Sequence, residues 1–400
     1  MVYHGRNYLR DYIMANSTLA SSRRGFIQLC GSSAALFYSG IGSARSIADQ
    51  NTLLPFRENS TPLLLNFNEN SLGMSPSAVS AAMQATQHLG NRYPDNLVEQ
   101  LRETLATLHK VNPEQIILGN GSTEVIQAVV TMAEGRAATV IEPTPTFGDV
   151  RRYSQAEDLE VVKVPVGKGF QTDIEALRKK AEEISGVVLI NICNPNNPTG
   201  SIVDHKSLTD WIKDAPQNHI FLIDEAYYEY AVSNPAYSSV LPLIKSGREN
   251  VILTRTFSKI YGMAGMRIGY GIAAKETAKE VRQFAAGYNL SAPGSAAALA
   301  SLADAAFFKK SLESNRVAKS MLLTVLDELG LEYVQSNTNF VLHRINGRLE
   351  DYAARMADNG IKVGRRMTRE DGWNRLSVGT PDEMRVFVQT LKAFQEKGWL

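Results

Sequence analysis

Lys259 stands in Thr256-Phe257-Ser258-Lys259, a primary amine among hydroxyls, just after the apolar run Val251–Thr254. An amine so placed can attack a carbonyl or act as a base, provided its surroundings lower its pKa. Eight residues further on is Arg267, in Gly265-Met266-Arg267-Ile268-Gly269. Asp224-Glu225-Ala226-Tyr227 ends the run Ile220–Ile223 and supplies a carboxylate and a phenol. Asn194-Pro195-Asn196-Asn197-Pro198-Thr199-Gly200 follows Val187–Ile192 and supplies the amide of Asn197. Gly119-Asn120-Gly121-Ser122-Thr123-Glu124 follows Gln115–Leu118 and precedes a helical pattern from Ser122. Free backbone N–H groups at such a helix start suit a phosphate. Taken singly, each segment reads as a turn, a helix cap or a solvated lysine. Taken in order, they bring an anion cradle, an acid, a phenol, an amine and a guanidinium to the ends of successive strands, where open α/β sheets bind ligands.

The glycine-rich turn alone leaves three readings open. It is close to G-x-G-x-x-G, with Glu124 in place of the third Gly, and Glu142 ends the next strand, where a ribose-binding acid would stand. A dinucleotide, another phosphate, or a structural turn capped by Ser122 or Thr123 would each account for it.

These segments need a scaffold of strands. Gln115–Leu118, Ala137–Ile141, Val161–Val164, Val187–Ile192, Ile220–Ile223 and Val251–Thr254 are β-rich runs. Helical patterns such as Asp173–Ile184 and Lys206–Lys213 fall between several of them. Continuous apolar strands are buried on both faces, as in a largely parallel sheet. Leu299–Leu329 is mostly helical, and short strands follow at Asn339–Leu342 and Arg375–Val378. The pattern predicts an α/β fold: a large domain over 92–290 with a mostly parallel sheet between helices, and a smaller α+β domain. The latter combines 291–400 with part of 49–91.

Composition removes several classes. Hydrophobic residues make up 44% and charged residues 21% of 400, which excludes a disordered chain. No apolar run is long enough for a membrane helix, and two Cys cannot build a disulfide framework. A net charge of +1 gives no excess for nucleic acid. His88, His109, His205, His219 and His343 lack ligand spacing and Cys193 stands alone, so no metal site is expected.

The order and spacing of these motifs resemble the aspartate-aminotransferase superfamily, pyridoxal-phosphate (PLP) enzymes of fold type I. Within it the chain looks most like histidinol-phosphate aminotransferases. Further cues are Asn68-Glu69-Asn70-Ser71-Leu72-Gly73, Arg92-Tyr93-Pro94-Asp95, Tyr288-Asn289-Leu290-Ser291 and Asn337-Thr338-Asn339-Phe340. The resemblance runs from about Leu63 to the C-terminus. It implies that Lys259 forms an imine with PLP and then moves a proton from the substrate's Cα to C4′. It implies that Asp224 pairs with the pyridinium nitrogen, and that Tyr227 and Asn197 bond the phenolate oxygen. Gly121, Ser122 and Thr123 would hold the phosphate with Thr256, Ser258 and Arg267, so the glycine-rich turn needs no nicotinamide. Phe147 matches the residue stacked on the ring, where histidinol-phosphate enzymes commonly carry Tyr. Arg375 matches the arginine that grips the substrate's carboxylate or phosphate, with Asn70 and either Arg365 or Arg366 also on the substrate side. In Val363-Gly364-Arg365-Arg366 the glycine shifts the family's usual arginine by one. Tyr93 matches a tyrosine that reaches the neighbouring subunit's phosphate, which implies a homodimer with shared active sites.

The resemblance makes transamination between an amino acid and a 2-oxo acid the leading expectation. Decarboxylation of the threonine-phosphate decarboxylase type, on the same fold, is the alternative, and a non-catalytic PLP-binding protein is a remote one. At the N-terminus, Ser21-Ser22-Arg23-Arg24-Gly25-Phe26-Ile27-Gln28 precedes a mildly apolar stretch and Ser46-Ile47-Ala48. This resembles a twin-arginine (Tat) export signal over 1–48 and implies a periplasmic enzyme. Met14 is a second candidate start. With 1–48 removed, Cys193 would be the one cysteine left. An exported enzyme would rarely meet a cytoplasmic intermediate such as histidinol phosphate, so an ordinary amino acid or periplasmic metabolite is the expected donor.

Overall fold

The computed structural model describes residues 62–368 and 370–400; the expected export segment lies outside them. Among the described residues a short strand β1 (Leu63–Leu65) comes first. Seven strands follow: β2 (Ile116–Asn120), β3 (Thr139–Thr144), β4 (Val161–Pro165), β5 (Val188–Cys193), β6 (His219–Asp224), β7 (Val251–Thr256) and β8 (Ile268–Ala273). They form one sheet in the order β2-β8-β7-β6-β5-β3-β4. Only β8 runs against the others in this sheet. Three further strands, β9 (Phe340–Arg344), β10 (Ile361–Val363) and β11 (Trp373–Ser377), precede the last helix. β1 pairs in parallel with β10, and β9 pairs antiparallel with β11.

The apolar runs are continuous because alternate residues feed two cores. Ile190, Ile192, Phe221, Ile223 and Leu253 face one side, with Leu101, Leu105, Leu208 and Trp211 from helices Asp95–His109 and His205–Asp214. Leu189, Ile220, Leu222 and Ile252 face the other, against Val125, Val129 and Met132 of helix Gly121–Glu134. A third core gathers Leu322, Leu326, Phe387 and Phe394 from helices Ala305–Glu328 and Pro381–Glu396. Leu65 of β1, Ile361 of β10 and Leu376 of β11 join it. Helix Ala292–Ala303 falls within the C-terminal part of the sequence, yet its Ala297 and Ala298 enter the first core beside Ala78 and Ala82 of helix Pro76–Leu89. Small side chains on both helices allow that close approach.

Parallel pairing places the carboxyl ends of β5, β6 and β7 side by side. Cys193 pairs with Asp224, and Asp224 with Thr254. Asn120 at the end of β2 pairs with Ile268 at the start of β8, and Thr256 with Gly269, so Arg267 joins the same edge.

Candidate active site

Lys259 follows β7 and is held in largely buried surroundings. Burial, then repulsion from Arg375 and Arg267, bring its amine down to about 8, against attraction from Glu69 and Asp224. A useful fraction is then neutral near neutral pH, as a nucleophile or base requires. Its Nζ lies 5.7 Å from the centre of the Tyr227 ring.

Asp224 ends β6 and is buried. Its Oδ1 accepts from Thr254 Oγ1 at 3.0 Å and from the Ala226 amide at 3.2 Å. Burial pushes its carboxyl up to about 6, against those bonds and the more distant Lys259. Among the described residues no cation forms an ion pair with it. A buried carboxylate without a cation fits a ligand that brings a protonated nitrogen.

Tyr227, three residues on, is buried, and burial raises its phenol well above the ordinary range. Its oxygen accepts from Asn68 Nδ2 at 3.0 Å and from Asn197 Nδ2 at 3.5 Å. Asn197 Oδ1 in turn accepts from Arg375 Nη1 at 2.7 Å. Arg375, on β11, donates its Nη2 to the Asn66 carbonyl at 2.9 Å, and its Nε has no partner among the described residues. It is only 8% exposed, and it has no carboxylate partner among the described residues. Burial and nearby Arg365 pull its pKa down. An uncompensated buried guanidinium is costly, and a bound carboxylate or phosphate would relieve it.

The third element is an open helix start. The helix Gly121–Glu134 has no side-chain cap from Asn120. Its N-cap amide is taken instead by Glu124, whose Oε2 accepts from Asn120 N at 2.6 Å and from Asn289 Nδ2 at 2.8 Å. That explains the acid where a dinucleotide fingerprint has glycine. Gly121 has φ +70, and a Cβ there would collide with the Arg267 guanidinium. Arg267 Nη1 lies 3.4 Å from Ser258 Oγ, and Thr256 Oγ1 donates to Ser258 Oγ at 2.9 Å. Thr123 Oγ1 donates to Asp149 at 3.4 Å. The helix start, two hydroxyls and a guanidinium converge as a phosphate cradle would. Glu142 is fully buried, accepting from Arg151 at 2.8 Å and Asn191 at 3.0 Å, so it is not available to a ribose.

The remaining sequence candidates divide. Phe147 is half-buried in the loop after β3. Tyr93 is exposed and packs on the equally exposed Tyr288, ring centres 4.8 Å apart. Arg365 is exposed and, with Arg366, lines a cleft of about 1120 Å³ that also takes in Thr146, Arg344 and Trp373. A Cβ on Gly364 would strike the Arg375 carbonyl oxygen, so position 364 admits no side chain and the arginines fall beyond it. Asn70 is corrected: its Nδ2 donates to the Ile260 carbonyl at 2.8 Å and to Ser311 Oγ at 3.0 Å. One donor thus ties the N-terminal segment to the loop after Lys259 and the other to the helix Ala305–Glu328, and none is left for a substrate. Asn68, two residues earlier in the same motif, is the one that reaches Tyr227. The spacing alone does not separate the two; a residue tolerant of φ +56 between strand and turn is the available signal.

Comparison with known proteins agrees with this geometry. Residues 60–391 match the family Aminotransferase class I and II. A histidinol-phosphate aminotransferase of Geobacillus sp. (strain WCH70) is 38% identical over 275 residues, 69% of this chain and 74% of that protein. The crystal structure of a provisionally named histidinol-phosphate aminotransferase from Erwinia carotovora atroseptica is 39% identical, with a TM-score of 0.83, over 85% of this chain and 97% of that one. The Sinorhizobium meliloti histidinol-phosphate aminotransferase in complex with pyridoxal-5′-phosphate shares the fold at 24% identity and TM-score 0.75, over 88% of this chain and 99% of that one. The chain belongs to the class I and II aminotransferases, enzymes of fold type I that work with pyridoxal 5′-phosphate.

Proposed function

We propose that the protein exchanges an amino group between an α-amino acid and a 2-oxo acid in two half-reactions, and that the residues above carry the roles their positions suggest. PLP, when bound, supplies the electron sink that lets a bond at the donor's Cα break. Lys259 would hold the cofactor through its amine and would be the group that moves the proton at the donor's Cα. Asp224 keeps the ring nitrogen protonated. Asn197 and Tyr227 bond the ring's oxygen, and Phe147 covers a ring face. Gly121, Ser122, Thr123, Thr256, Ser258 and Arg267 take the phosphate. Arg375 orients the donor by its α-carboxylate, and Arg365 meets a second anionic group when the donor has one.

The observation that carries this reading is Arg375, a buried guanidinium with no carboxylate partner among the described residues, electrostatically coupled to Lys259. Gly364 beside it, and Phe147 in the place of a tyrosine, support an ordinary amino acid as donor over histidinol phosphate. The exposed pair Tyr93 and Tyr288, with Phe67 68% exposed, supports a homodimer in which Tyr93 reaches the second site. The twin-arginine pattern at 21–28 supports Tat export to the periplasm.

A panel of amino donors that includes histidinol phosphate, with a 2-oxo acid acceptor, tests the reaction. Turnover of amino acids is expected. A kcat/KM for histidinol phosphate about a hundredfold above every amino acid, near 2.7 kcal/mol, would return the chain to histidine biosynthesis. Fractionation of cells carrying the chain with and without Arg23→Lys and Arg24→Lys tests export; a cytoplasmic protein in both refutes it.

A further inference from the structure

The hydroxyl of Tyr227 is held in one donor orientation, and the hydrogen bonds around it identify the residue responsible. Ser377 Oγ accepts the Asn68 backbone N–H at 2.7 Å, and its own hydrogen, with no other acceptor among the described residues, goes to Asn68 Oδ1 at 3.1 Å. That fixes which end of the Asn68 amide is oxygen and leaves Nδ2 to donate to the Tyr227 oxygen at 3.0 Å. Asn197 is fixed in the same way, because its Oδ1 accepts from Arg375 at 2.7 Å and its Nδ2 is turned to the same phenol. The phenol oxygen therefore faces two N–H donors. Its hydrogen must point elsewhere, and among the described residues it has no acceptor. A buried hydroxyl with an unused donor calls for an acceptor on a ligand.

We infer that Asn68 is a positioning residue that, held by Ser377, turns the Tyr227 O–H toward the cofactor's ring oxygen and strengthens it as a donor. The inference rests on the cofactor reading above. Asn68 is built for the task. It is buried, adopts φ +56, and its carbonyl accepts from Asn339 Nδ2 at 3.0 Å. The segment after β1 is thereby pinned to β11 and to the loop before β9, and Tyr227 is reached from outside its own strand. An N–H donated to a phenol oxygen makes its O–H a better donor. That O–H competes with the proton of the cofactor–Lys259 linkage for the same ring oxygen. Weakening it raises the pH at which the linkage loses its proton.

The test is a pH titration of the bound cofactor's visible absorption in the holoenzyme. Asn68→Gly keeps the left-handed backbone and removes the amide. Asn68→Asp keeps the backbone and size but offers an acceptor that turns the tyrosine hydrogen away. Both should raise the midpoint, Asn68→Asp by about one pH unit and as far as Tyr227→Phe does, with Asn68→Gly between. In a Tyr227→Phe background Asn68→Gly should not shift it further, and any shift Asn68→Asp still gives there measures its added charge alone. Unchanged midpoints, or an Asn68→Gly shift that persists without the tyrosine hydroxyl, overturn the inference. A wild-type protein that takes up no PLP on Lys259 overturns the cofactor reading instead.

Discussion

Arg255 and Arg375 are both buried cations, 3% and 8% exposed, and the molecule treats them in opposite ways. Arg255 meets Glu225 through Nη2 at 2.8 Å and Nε at 3.2 Å, donates to Ser239 Oγ at 3.1 Å and lies 3.5 Å over the Tyr228 ring. Arg375 receives a side-chain amide oxygen, a backbone carbonyl and, at Nε, no partner among the described residues. The neighbouring acids repeat the contrast. Glu225 is paired, while Asp224, one residue before it, is buried and unpaired among the described residues. Paired charge locks β6 to β7; unpaired charge at the same strand ends is held ready for a ligand. The difference distinguishes scaffold from site more sharply than burial does, since all four groups are buried.

The comparison breaks first at Arg255. Arg255→Ala leaves Glu225 buried without its cation and should cost about 3–5 kcal/mol of stability. Urea unfolding of the cofactor-free protein measures it. Arg255→Met combined with Glu225→Leu should cost far less, because both charges go together. A single substitution that leaves the midpoint unchanged would show the pair to be ornamental.

Arg375→Ala should do the reverse. It removes a desolvated cation, so the empty protein should hold its stability or gain a little. For every amino donor kcat/KM should fall by about 2–4 kcal/mol, as loss of a charge-paired anchor does. Steady-state kinetics across the donor panel settle it, and a loss confined to one donor would argue against a common carboxylate anchor.

Asp224 adds a pH signature. Its carboxyl titrates at about 6 in the folded protein against an ordinary 3.8. A raised carboxylate favours the fold below its unfolded pKa, and that contribution is lost as pH rises through about 6. Asp224→Asn should therefore stabilise the cofactor-free protein by about 2–3 kcal/mol above that pH and by little near pH 4, while disabling transamination. Equal unfolding midpoints of wild type and variant at pH 8 would contradict the buried, unpaired state.

These residues were unequally legible in the sequence. Lys259, Asp224 and Asn197 announce themselves because each ends or follows an apolar run and parallel strands bring such ends together, while Arg267 is marked by its spacing of eight residues from Lys259. Strand limits deviate by two or three residues at Thr139–Thr144 against the expected Ala137–Ile141. β8 was hidden: Ile268-Gly269-Tyr270-Gly271-Ile272-Ala273 carries two glycines, which weaken a strand pattern, and its antiparallel course needs the sheet to be seen. Asn68 carries no mark that separates it from Asn70, because its role depends on contacts 159 and 309 residues away. The Glu225–Arg255 pair, between adjacent strands, has no local mark.

The smallest expected effect compares a buried arginine with an exposed one. Arg365 stands on the rim of the cleft, close enough to Arg375 to depress its pKa. Solvent screens it, so its attraction for an anion is worth about 0–1 kcal/mol, not the several of a desolvated pair. Arg365→Ala should therefore leave alanine-like donors unaffected and weaken donors with a second anionic group by about fivefold or less, mainly in KM. Raising the salt concentration should erase that difference in the wild type while leaving the Arg375 contribution in place, since buried pairs are screened far less. Donor-selective kinetics at low and high salt read both effects at once. A salt-insensitive loss for every donor would move Arg365 from the rim into the same buried class as Arg375.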